Sequence, residues 1–550
     1  MTTPPETADR IIHPVINEDG SVHYPSVMSP LSPDKRPAVC PMLADRIIPV
    51  IFVPGIMGSN LKKPKPSDEP VWRMNSEPGA VKDWVTKSAA KRKELLDPDL
   101  KKTEVDDRGD LPTDAPLSNE EMRRRGWGEV AAMSYGSFLV WLETHLNDIH
   151  AGTDYGRNGL RAELMDKAVT ASLDLPYLTR DEVATSYRYQ FPVHAVGYNW
   201  LQSNANSAER LKQRIEEFIQ HYRNQGRRCE KVILVTHSMG GLVARYYSEV
   251  LQQSDTVLGI VHGVMPATGA ATAYKRVKAG TEGGPGLVLG DDAAKVTAVF
   301  AQSPGALQLL PSNDYGKGWL KIRDYERVVS LPSVNGDPYN EIYLQRGKWW
   351  GLIDDRLLNP LDSKKQTVDQ DWETFKDLIN KHVEPFHSEI SRKYHRNTYA
   401  FYGDDPELKA WGDVTWKRTV RQRLDGTMPN LVPYVSNLQG GQTMWDAGRG
   451  EQTVSVQNAN TADSALFVLQ EADEIGDGTV PHRSGAAPKG ERGVQVCVPF
   501  SGCKHEGAYK DDPRPGLTNW APQPDRRRFT LWAITKIAYE IRNTSLAYRT

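Results

Sequence analysis

One serine of this chain lies in the kind of sharp turn that makes a hydroxyl group nucleophilic. Residues 231–245 read K-V-I-L-V-T-H-S-M-G-G-L-V-A-R, an apolar strand that ends near Thr236 and a helix that begins near Met239. Ser238 is left on the turn between them, where its hydroxyl projects clear of the sheet. Gly240 follows at a position where a side chain would strike the strand. The pattern favours a nucleophilic serine over a serine helix cap, which would not require the double glycine.

A nucleophilic serine needs a histidine base, and the histidine needs a carboxylate that holds its tautomer. When the serine follows a strand in this way, the acid and then the histidine come from loops after later strands. Asp477 fits the acid, in the glycine-flanked turn G-D-G-T-V-P, and His505 fits the base, just after the last predicted strand. His482 lies on the same turn as Asp477 and is less suited to the role. Asp473 and Glu474 remain alternative acids, and Asp477 has the alternative of an ordinary Asx turn.

The reaction of such a serine also needs two backbone N–H groups aimed at the developing oxyanion. Met239 directly follows the nucleophile at the start of the helix, where the helix dipole adds to the effect. The second N–H is expected from the loop after the first core strand, P-G-I-M-G at residues 54–58, through Met57. A plain glycine turn is the alternative for this loop.

Apolar runs rich in β-branched residues alternate with helical periodicity, which predicts parallel strands joined by helices. Ser207 is a candidate cap for the second of the helices. The fold class is therefore predicted as α/β, a mostly parallel central sheet flanked by helices. The predicted strands are residues 47–53, 191–196, 232–236, 257–262, 398–402 and 494–500, and the predicted helices are residues 135–145, 207–225, 239–253 and 529–541.

Long segments separate these core elements. Residues 1–44 are expected to form a polar tail and residues 45–550 one domain, with insertions at about 62–188, 269–395 and 404–467 that form a cap or lid. Residues 313–393 show no strong regular signal. Residues 269–290 are glycine-rich and carry a basic patch, typical of either a mobile cover or a surface loop, and the patch favours anionic lipid or is simply solvated. Its members are Lys275, Arg276 and Lys278.

The composition is that of a globular protein. The 550 residues are 39% hydrophobic and 25% charged, with a net charge of −2 that gives no indication of nucleic-acid binding. No run of 18 apolar residues predicts a membrane-spanning helix, and the N-terminal residues have no apolar stretch of the signal-peptide kind. No His/Cys/Asp cluster has metal-ligand spacing, so neither metal nor cofactor is expected. Cys497 and Cys503 are close enough to pair, although free thiols are the default.

Several short blocks occur in an order that resembles the lecithin:cholesterol acyltransferase-like branch of the α/β-hydrolase lipases. In that family the aspartate and the later histidine complete the triad, and the residue at Met57 gives an oxyanion N–H. The resemblance thus implies the same roles for Asp477, His505 and Met57. Trp72 lies where the family places a lid-associated tryptophan, with a packed surface tryptophan as the alternative. The blocks are P-G-I-M-G-S-N-L (54–61), Y-N-W (198–200), T-H-S-M-G-G (236–241), L-L-P (309–311), F-Y-G (401–403), G-D-G-T-V-P (476–481) and His505.

The chain departs from that family at named positions. Thr236 stands where the serine motif has glycine, which the turn must absorb, and Asn199 stands where the family has aspartate. The block H-G-V-x-P-x-T-G at 262–269 and the overall design are similar to bacterial type VI secretion phospholipase effectors. That resemblance implies synthesis in the cytoplasm without a signal peptide and delivery on a secretion spike to a rival cell's envelope. It also implies an immunity protein in the producer.

The leading hypothesis is a serine lipase or phospholipase that hydrolyses carboxylic esters of membrane glycerophospholipids, as an antibacterial effector. One alternative keeps the triad and transfers the acyl group to an alcohol acceptor. A second alternative is a hydrolase fold that serves only as a binding module. Hydrolase folds that have lost activity usually lack the serine or the histidine, whereas this chain has a candidate serine, acid and histidine.

Overall fold

The computed structural model describes residues 44–73, 84–148, 159–282, 288–419, 439–458, 461–510 and 525–548, and two-residue strands at 10–11, 15–16, 22–23 and 38–39. Apart from these short strands and residue 44, the polar tail predicted for residues 1–44 lies outside the described residues. The cap division of the remaining chain stays a prediction.

Within the described residues, six parallel strands form a central sheet. Its middle strands are buried along their whole length, because helices cover both faces of the sheet, and this explains their continuous apolar sequences. The predicted α/β fold is confirmed. Across the sheet the strands follow the order Val494–Phe500, Thr398–Gly403, Val257–Gly263, Val232–His237, Val50–Val53 and Val193–Ala195.

The two faces of the central sheet bury separate apolar clusters. Ile51 packs with the helix Asn204–Asn224 on one face. Phe52, its neighbour in the strand, packs with the helices Ala132–Leu146 and Asp525–Tyr539 on the other. Successive side chains of a strand point to opposite faces, so a short strand supports both layers. The sheet is therefore held in one position, with the carboxyl ends of its strands at a common edge.

Helices are the other main kind of regular element in the described chain. A π-helical turn, Tyr246–Val250, continues the helix after the candidate nucleophile, where the sequence predicts one uninterrupted helix. The α-helices are Ala89–Leu95, Asn119–Arg124, Ala132–Leu146, Leu160–Glu163, Arg180–Ser186, Asn204–Asn224, Gly240–Arg245, Ala271–Ala279, Ala293–Phe300, Pro304–Leu307, Val368–Leu378, Glu384–Ile390, His482–Gly485 and Asp525–Tyr539.

The predicted cap of one long helix is wrong. The helix Asn204–Asn224 begins before Ser207, and Ser203 caps it by accepting a hydrogen bond from the Ala205 N–H at 3.3 Å. Ser207 instead lies inside the helix and donates its hydroxyl to the Ser203 carbonyl at 3.3 Å. Both serines are favourable at a helix start, and the first of them takes the position.

A second sheet of six described strands forms from segments that are far apart in sequence. Residues 313–393, where the sequence shows no strong regular signal, contribute the hairpin strands Leu320–Asp324 and Arg327–Leu331. The first of these alternates buried and more exposed residues, and it pairs with Val414–Thr419 from the following insertion. In order, the strands of the second sheet are Arg327–Leu331, Leu320–Asp324, Val414–Thr419, Thr461–Leu469, Glu451–Asn458 and Thr443–Asp446.

Smaller strand groups complete the described elements. Leu61–Lys62 pairs with both Pro70–Trp72 and Glu104–Val105, and Asp405–Ala410 pairs with Glu474–Gly476. In the part of the chain that the structure describes, no helix has both the length and the apolar character needed to cross a bilayer.

Candidate active site

Ser238 lies in a strained turn at the carboxyl edge of the central sheet. The turn joins the strand Val232–His237 to the helix Gly240–Arg245, and Ser238 has a φ of 52°. A left-handed conformation costs about 1–2 kcal/mol for a residue with a side chain, so the surrounding contacts must hold it. One of these is a hydrogen bond from the Ser238 N–H to the Gly263 carbonyl at 2.9 Å. A Cβ at Gly240 would clash with the carbonyl oxygens of Val53 and Pro54.

Thr236, which stands where the serine motif has glycine, lies in the strand that leads into this turn. The residue continues the buried strand in register with His262 of the neighbouring strand. The Thr236 hydroxyl is hydrogen-bonded to Nδ1 of that histidine at 2.8 Å. The side chain that replaces the family's glycine is therefore accommodated by a polar contact across the sheet.

Ser238, His505 and Asp477 are brought together into one hydrogen-bonded chain. The Ser238 Oγ lies 2.8 Å from His505 Nε2, and His505 Nδ1 lies 2.8 Å from Asp477 Oδ2. The three side chains are nearly buried, at 4%, 7% and 3% exposure. The arrangement has the geometry of a nucleophile, a base and an orienting acid.

The acid is fixed by its own turn. Asp477 Oδ1 accepts hydrogen bonds from the N–H groups of Thr479 at 2.9 Å and Val480 at 2.7 Å, which leaves Oδ2 directed at the imidazole. The His505 N–H donates to the Asp477 carbonyl at 2.9 Å, so backbone and side chain hold the pair together. Burial lowers the pKa of His505, but the charge and hydrogen bond of Asp477 outweigh that effect and raise the pKa above its ordinary value.

The alternative acids and histidine of the sequence analysis are engaged elsewhere. His482 Nδ1 contacts Asp404 Oδ1 at 2.9 Å, and the side chain of His482 is half-buried. Asp473 accepts hydrogen bonds from the N–H groups of Gly412 and Asp413, and Glu474 pairs with Arg483. Each of these groups has a partner outside the Ser238 turn.

The two N–H groups expected to bind an oxyanion are Met57 and Met239. Within the described residues neither N–H donates a hydrogen bond. Met57 has a φ of 62°, and it lies inside a tight turn that is closed by a bond from the Gly58 N–H to the Gly55 carbonyl at 3.0 Å. Unused N–H donors on a strained, fixed backbone are what an oxyanion site requires.

Two residues that the sequence analysis missed connect these parts. The Gly55 N–H donates to the Tyr135 hydroxyl at 3.2 Å, and that hydroxyl lies 2.9 Å from His237 Nδ1. His237 Nε2 lies 2.9 Å from the His505 carbonyl. Burial, together with the nearby His505, lowers the pKa of His237 to about 3, so it is neutral and donates from Nε2. His237 directly precedes the serine and was visible in the motif, whereas Tyr135 comes from a helix with no chemical pattern of its own.

A cavity of about 470 Å³ opens over Ser238. Apolar side chains make up most of its wall, and four charged residues interrupt it. The apolar residues include Ile56, Met57, Trp72, Val288, Leu289, Phe300 and Leu309, and the charged residues are Arg276, Glu282, Glu506 and Lys510.

Trp72 is part of this wall and is not a surface residue. It is 1% exposed, packs against Trp84 and Trp200 with ring centroids 5.1 and 5.3 Å away, and donates its indole N–H to the Met57 carbonyl at 2.9 Å. It therefore supports the Met57 loop. A link between Trp72 and a lid stays a prediction.

The description of residues 269–290 as a loop with a solvated basic patch is wrong. The helix Ala271–Ala279 lies in this segment, with most of its side chains buried. Lys275 and Lys278 are 8% and 5% exposed, and they donate to the carbonyls of Gly280 at 3.3 Å and Trp349 at 3.0 Å. The stems of such lysines pack like apolar residues, so the basic sequence hid a buried helix. Residues 283–287 lie outside the described part.

The remaining candidate groups are simple to place. Cys497 and Cys503 are free thiols in the structure, and so is Cys229. Asn199, at the family's aspartate position, donates its amide to the Thr103 carbonyl at 3.0 Å, which a carboxylate would not do. Across the described ranges, no group of three or more His, Cys, Asp or Glu side chains is arranged to hold a metal ion.

Comparison with known proteins finds similarity to a lipase-like family and to one solved structure over most of the chain. The lecithin:cholesterol acyltransferase family model matches residues 169–403. Among solved structures, a chain of the Tle4–Tli4 complex is 31% identical, with a TM-score of 0.72, over 89% of this chain and 98% of that chain. No curated protein sequence matches.

Two further solved structures are much less similar to this chain. The rice cell wall degrading esterase LipA from Xanthomonas oryzae is 10% identical, with a TM-score of 0.22, over 66% of this chain and 73% of that chain. Phospholipase PlaB from Legionella pneumophila is 12% identical, with a TM-score of 0.15, over 68% of this chain and 96% of that chain. TM-scores this low carry no weight for the fold or the site.

Proposed function

Because the chain belongs to the lecithin:cholesterol acyltransferase-like family of α/β hydrolases, together with the matched chain of the Tle4–Tli4 complex, we propose that it hydrolyses acyl esters of membrane glycerophospholipids. The observation that carries this proposal is the hydrogen-bonded series Ser238, His505 and Asp477 at the base of an apolar cavity.

In the first half of the reaction, Ser238 Oγ attacks the ester carbonyl carbon while His505 Nε2 takes the hydroxyl proton. Asp477 holds the imidazole in the required tautomer and stabilises the imidazolium. The N–H groups of Met57 and Met239 bind the oxyanion. The bond between the carbonyl carbon and the glycerol oxygen then breaks, and His505 returns the proton to that oxygen.

In the second half, water replaces the glycerol. His505 Nε2 takes a proton from the water, whose oxygen attacks the acyl-serine carbonyl carbon. The bond from that carbon to Ser238 Oγ breaks, the proton goes to Oγ, and a free fatty acid is released. No cofactor is required, because the nucleophile, the base and the oxyanion donors are all supplied by the chain.

Product analysis tests the proposal. Purified protein incubated with mixed glycerophospholipids should release fatty acid and lysophospholipid, measured by mass spectrometry. Ser238→Ala should lower the rate by about 10⁴- to 10⁶-fold. Ser248→Ala is the matched control, because this buried serine on the same helical segment donates only to the Arg245 carbonyl at 3.4 Å. Release of fatty acid that persists in Ser238→Ala at the wild-type rate would contradict the proposal.

Acyl transfer to an alcohol shares every step up to the acyl-serine. The matched family model is named for an acyltransferase, which favours this second candidate. Adding a long-chain alcohol or a sterol separates the two. Hydrolysis gives free fatty acid regardless of the alcohol, whereas transfer gives a new ester at the expense of fatty acid.

We further propose that the enzyme is an antibacterial effector, carried on a secretion spike from the producer's cytoplasm into a target cell's envelope and blocked by an immunity protein. Support comes from the similarity to a chain that was solved in the Tle4–Tli4 complex. Directed to the periplasm of a Gram-negative host, the enzyme should stop growth, while Ser238→Ala should not. A partner encoded beside it should restore growth and co-purify, and loss of the spike should abolish secretion. Unimpaired growth with active enzyme present would refute the role.

A further inference from the structure

Arg276 is a cation built into the wall of the Ser238 cavity. It lies on the buried helix Ala271–Ala279, and its side chain is 21% exposed. The guanidinium and Ser238 line the same cavity. Burial lowers the pKa of Arg276, and the carboxylates of Glu506 and Asp477 only partly offset this effect. A guanidinium stays charged in proteins, so the cavity wall carries a positive charge at this position.

The position of this charge is fixed relative to the triad. Arg276 Nη2 donates to the Thr479 hydroxyl at 3.1 Å, and the Thr479 N–H donates to Asp477 Oδ1 at 2.9 Å. The guanidinium is thus tied to the turn that holds the acid. A group that reaches Arg276 can belong to the same molecule whose ester lies at Ser238.

The guanidinium also has donors to spare. It has five N–H groups, and Nε, although buried, donates to no acceptor in the described part of the chain. Glu282 Oε2 lies 3.5 Å from that nitrogen, too far for a good hydrogen bond, on a side chain that is 39% exposed. A buried, unsatisfied donor costs free energy, and an anion in the cavity would satisfy it.

We propose that Arg276 binds the phosphodiester of the glycerophospholipid whose acyl ester is cleaved at Ser238, and thereby selects phospholipids over neutral glycerides. The inference rests on the proposed function. In a glycerophospholipid only a few covalent bonds separate the ester carbonyl from the phosphate, which suits two groups of one small cavity. The planar fork of arginine matches phosphate oxygens and gives two hydrogen bonds where a lysine gives a point charge.

Glu282 occupies the side of Arg276 that the phosphate would take. This carboxylate pairs with Lys275 and Arg276 and lies at the cavity wall. A phosphate that enters must displace it, so Glu282 competes with the substrate for the same cation. Removing the carboxylate's charge should therefore favour the phospholipid, an effect opposite in sign to the removal of the guanidinium.

The competing explanation is that Arg276 only positions the acid turn through Thr479. In that case its loss slows the hydrolysis of every ester to the same extent, because Asp477 serves them all. A phosphate-binding role instead changes the ratio of two substrates. The ratio of kcat/KM for phosphatidylcholine to kcat/KM for diacylglycerol with the same acyl chains, in matched mixed micelles, separates the two roles.

Arg276→Ala should lower this ratio by about 10- to 100-fold, as expected for a lost hydrogen bond to a charged group. Lys295→Ala is the control for loss of a nearby cation, because Lys295 pairs with Asp291 at 2.6 Å outside the cavity, and it should leave the ratio unchanged. Glu282→Gln should raise the ratio several-fold, mainly through a lower KM for phosphatidylcholine.

The outcomes are distinguishable. If the wild type cleaves phospholipid and Arg276→Ala leaves the ratio unchanged, the inference is wrong while the proposed function stands. If Glu282→Gln lowers the ratio, phosphate does not replace the carboxylate and the inference is also wrong. If the wild type releases no fatty acid from phosphatidylcholine, the proposed function fails and this inference fails with it.

Discussion

The turn that carries Ser238 and the wall that surrounds its cavity are built in different ways. The turn is made of strand ends and short loops at one edge of the sheet, and backbone hydrogen bonds hold it, such as Ser238 N–H to Gly263 and His505 N–H to Asp477. The wall is made from segments hundreds of residues apart. Reaction chemistry thus depends on local backbone geometry, whereas the choice of substrate depends on long-range packing.

One side chain illustrates how the wall is held. Arg92 is fully buried, and its Nη1 donates to the carbonyls of Val288 at 2.5 Å and Leu289 at 2.8 Å. Its Nη2 donates to the Trp84 carbonyl at 2.5 Å. One guanidinium therefore joins two segments of the wall, one at Trp84 and one at Val288 and Leu289, by hydrogen bonds to their carbonyls. Substitutions at the turn should therefore change catalysis through the chemistry of single groups, whereas substitutions in the wall should act through its packing.

The largest effect is expected at Asp477, the acid that orients His505. Asp477→Asn keeps the shape but cannot hold the productive tautomer of His505, so kcat should fall by about 10⁴-fold. The carboxylate is also what raises the pKa of His505. A base acts only when neutral, so activity of the wild type is lost as pH falls through this raised pKa.

In Asp477→Asn the acid limb of the pH–kcat/KM profile should move to lower pH, because the stabilising charge is gone and burial still lowers the pKa. The profile of the residual activity measures this directly. Asp473→Asn is the matched control, since that carboxylate accepts from Gly412 and Asp413 and should leave both rate and profile unchanged. An acid limb that stays in place would show that Asp477 does not set the pKa of the base.

The turn was also the part that sequence could predict. Ser238, Asp477 and His505 stand in short motifs next to strands that the apolar pattern located within a few residues, and the parallel sheet followed from the same alternation. A strand-end motif carries its own geometry, because the carboxyl ends of parallel strands share an edge. Their catalytic roles remain proposals.

The structure of the cavity wall could not be predicted from the sequence in this way. The helix Ala271–Ala279 was taken for a loop because glycines flank it and its lysines are charged, although their stems are buried. Whether a lysine lies in solvent or in a core is decided by the elements that pack on it, such as Trp349 near Lys278. The second sheet was missed because a short alternating run such as Leu320–Asp324 does not show which distant strand it pairs with, here Val414–Thr419.

A smaller effect is expected at the contacts that join the turn to its neighbours. Tyr135→Phe removes the hydroxyl that connects the Gly55 N–H to His237. The oxyanion loop and the base loop then lose a common partner, and kcat should fall by about 10- to 100-fold with little change in KM. Both phosphatidylcholine and diacylglycerol should be affected alike.

The control for that variant is Tyr189→Phe, which removes another buried tyrosine hydroxyl, bonded to the Leu546 carbonyl at 2.9 Å and remote from the turn. It should change stability without changing kcat. If Tyr135→Phe acts only on the melting temperature, or only on KM, the hydroxyl does not position the reacting groups.

The wall should respond differently. Arg92→Met removes the hydrogen bonds to Val288, Leu289 and Trp84 but leaves the turn intact. A fluorophosphonate probe should therefore label Ser238 at close to the wild-type rate, while KM for phosphatidylcholine rises several-fold because the cavity is less well formed. A proportional loss of probe labelling would show that turn and wall are not separable.

The smallest effect is expected from thiol chemistry near the base. Burial raises the pKa of Cys497 and of Cys503 to about 12, so both thiols are protonated at neutral pH and react slowly. Reductant should change neither activity nor melting temperature, and iodoacetamide should leave both residues unlabelled in the native protein, as read by mass spectrometry. A disulfide between them would tie the His505 loop covalently to the strand Val494–Phe500. With free thiols, the loop is positioned by hydrogen bonds, among them those of His505 to Asp477 and His237 and that of the Gly502 N–H to Asp405. The loss of the bonds to Asp477 should therefore outweigh any change in redox conditions. A drop in melting temperature on reduction would contradict this prediction, because it would show that a disulfide stabilises the native protein.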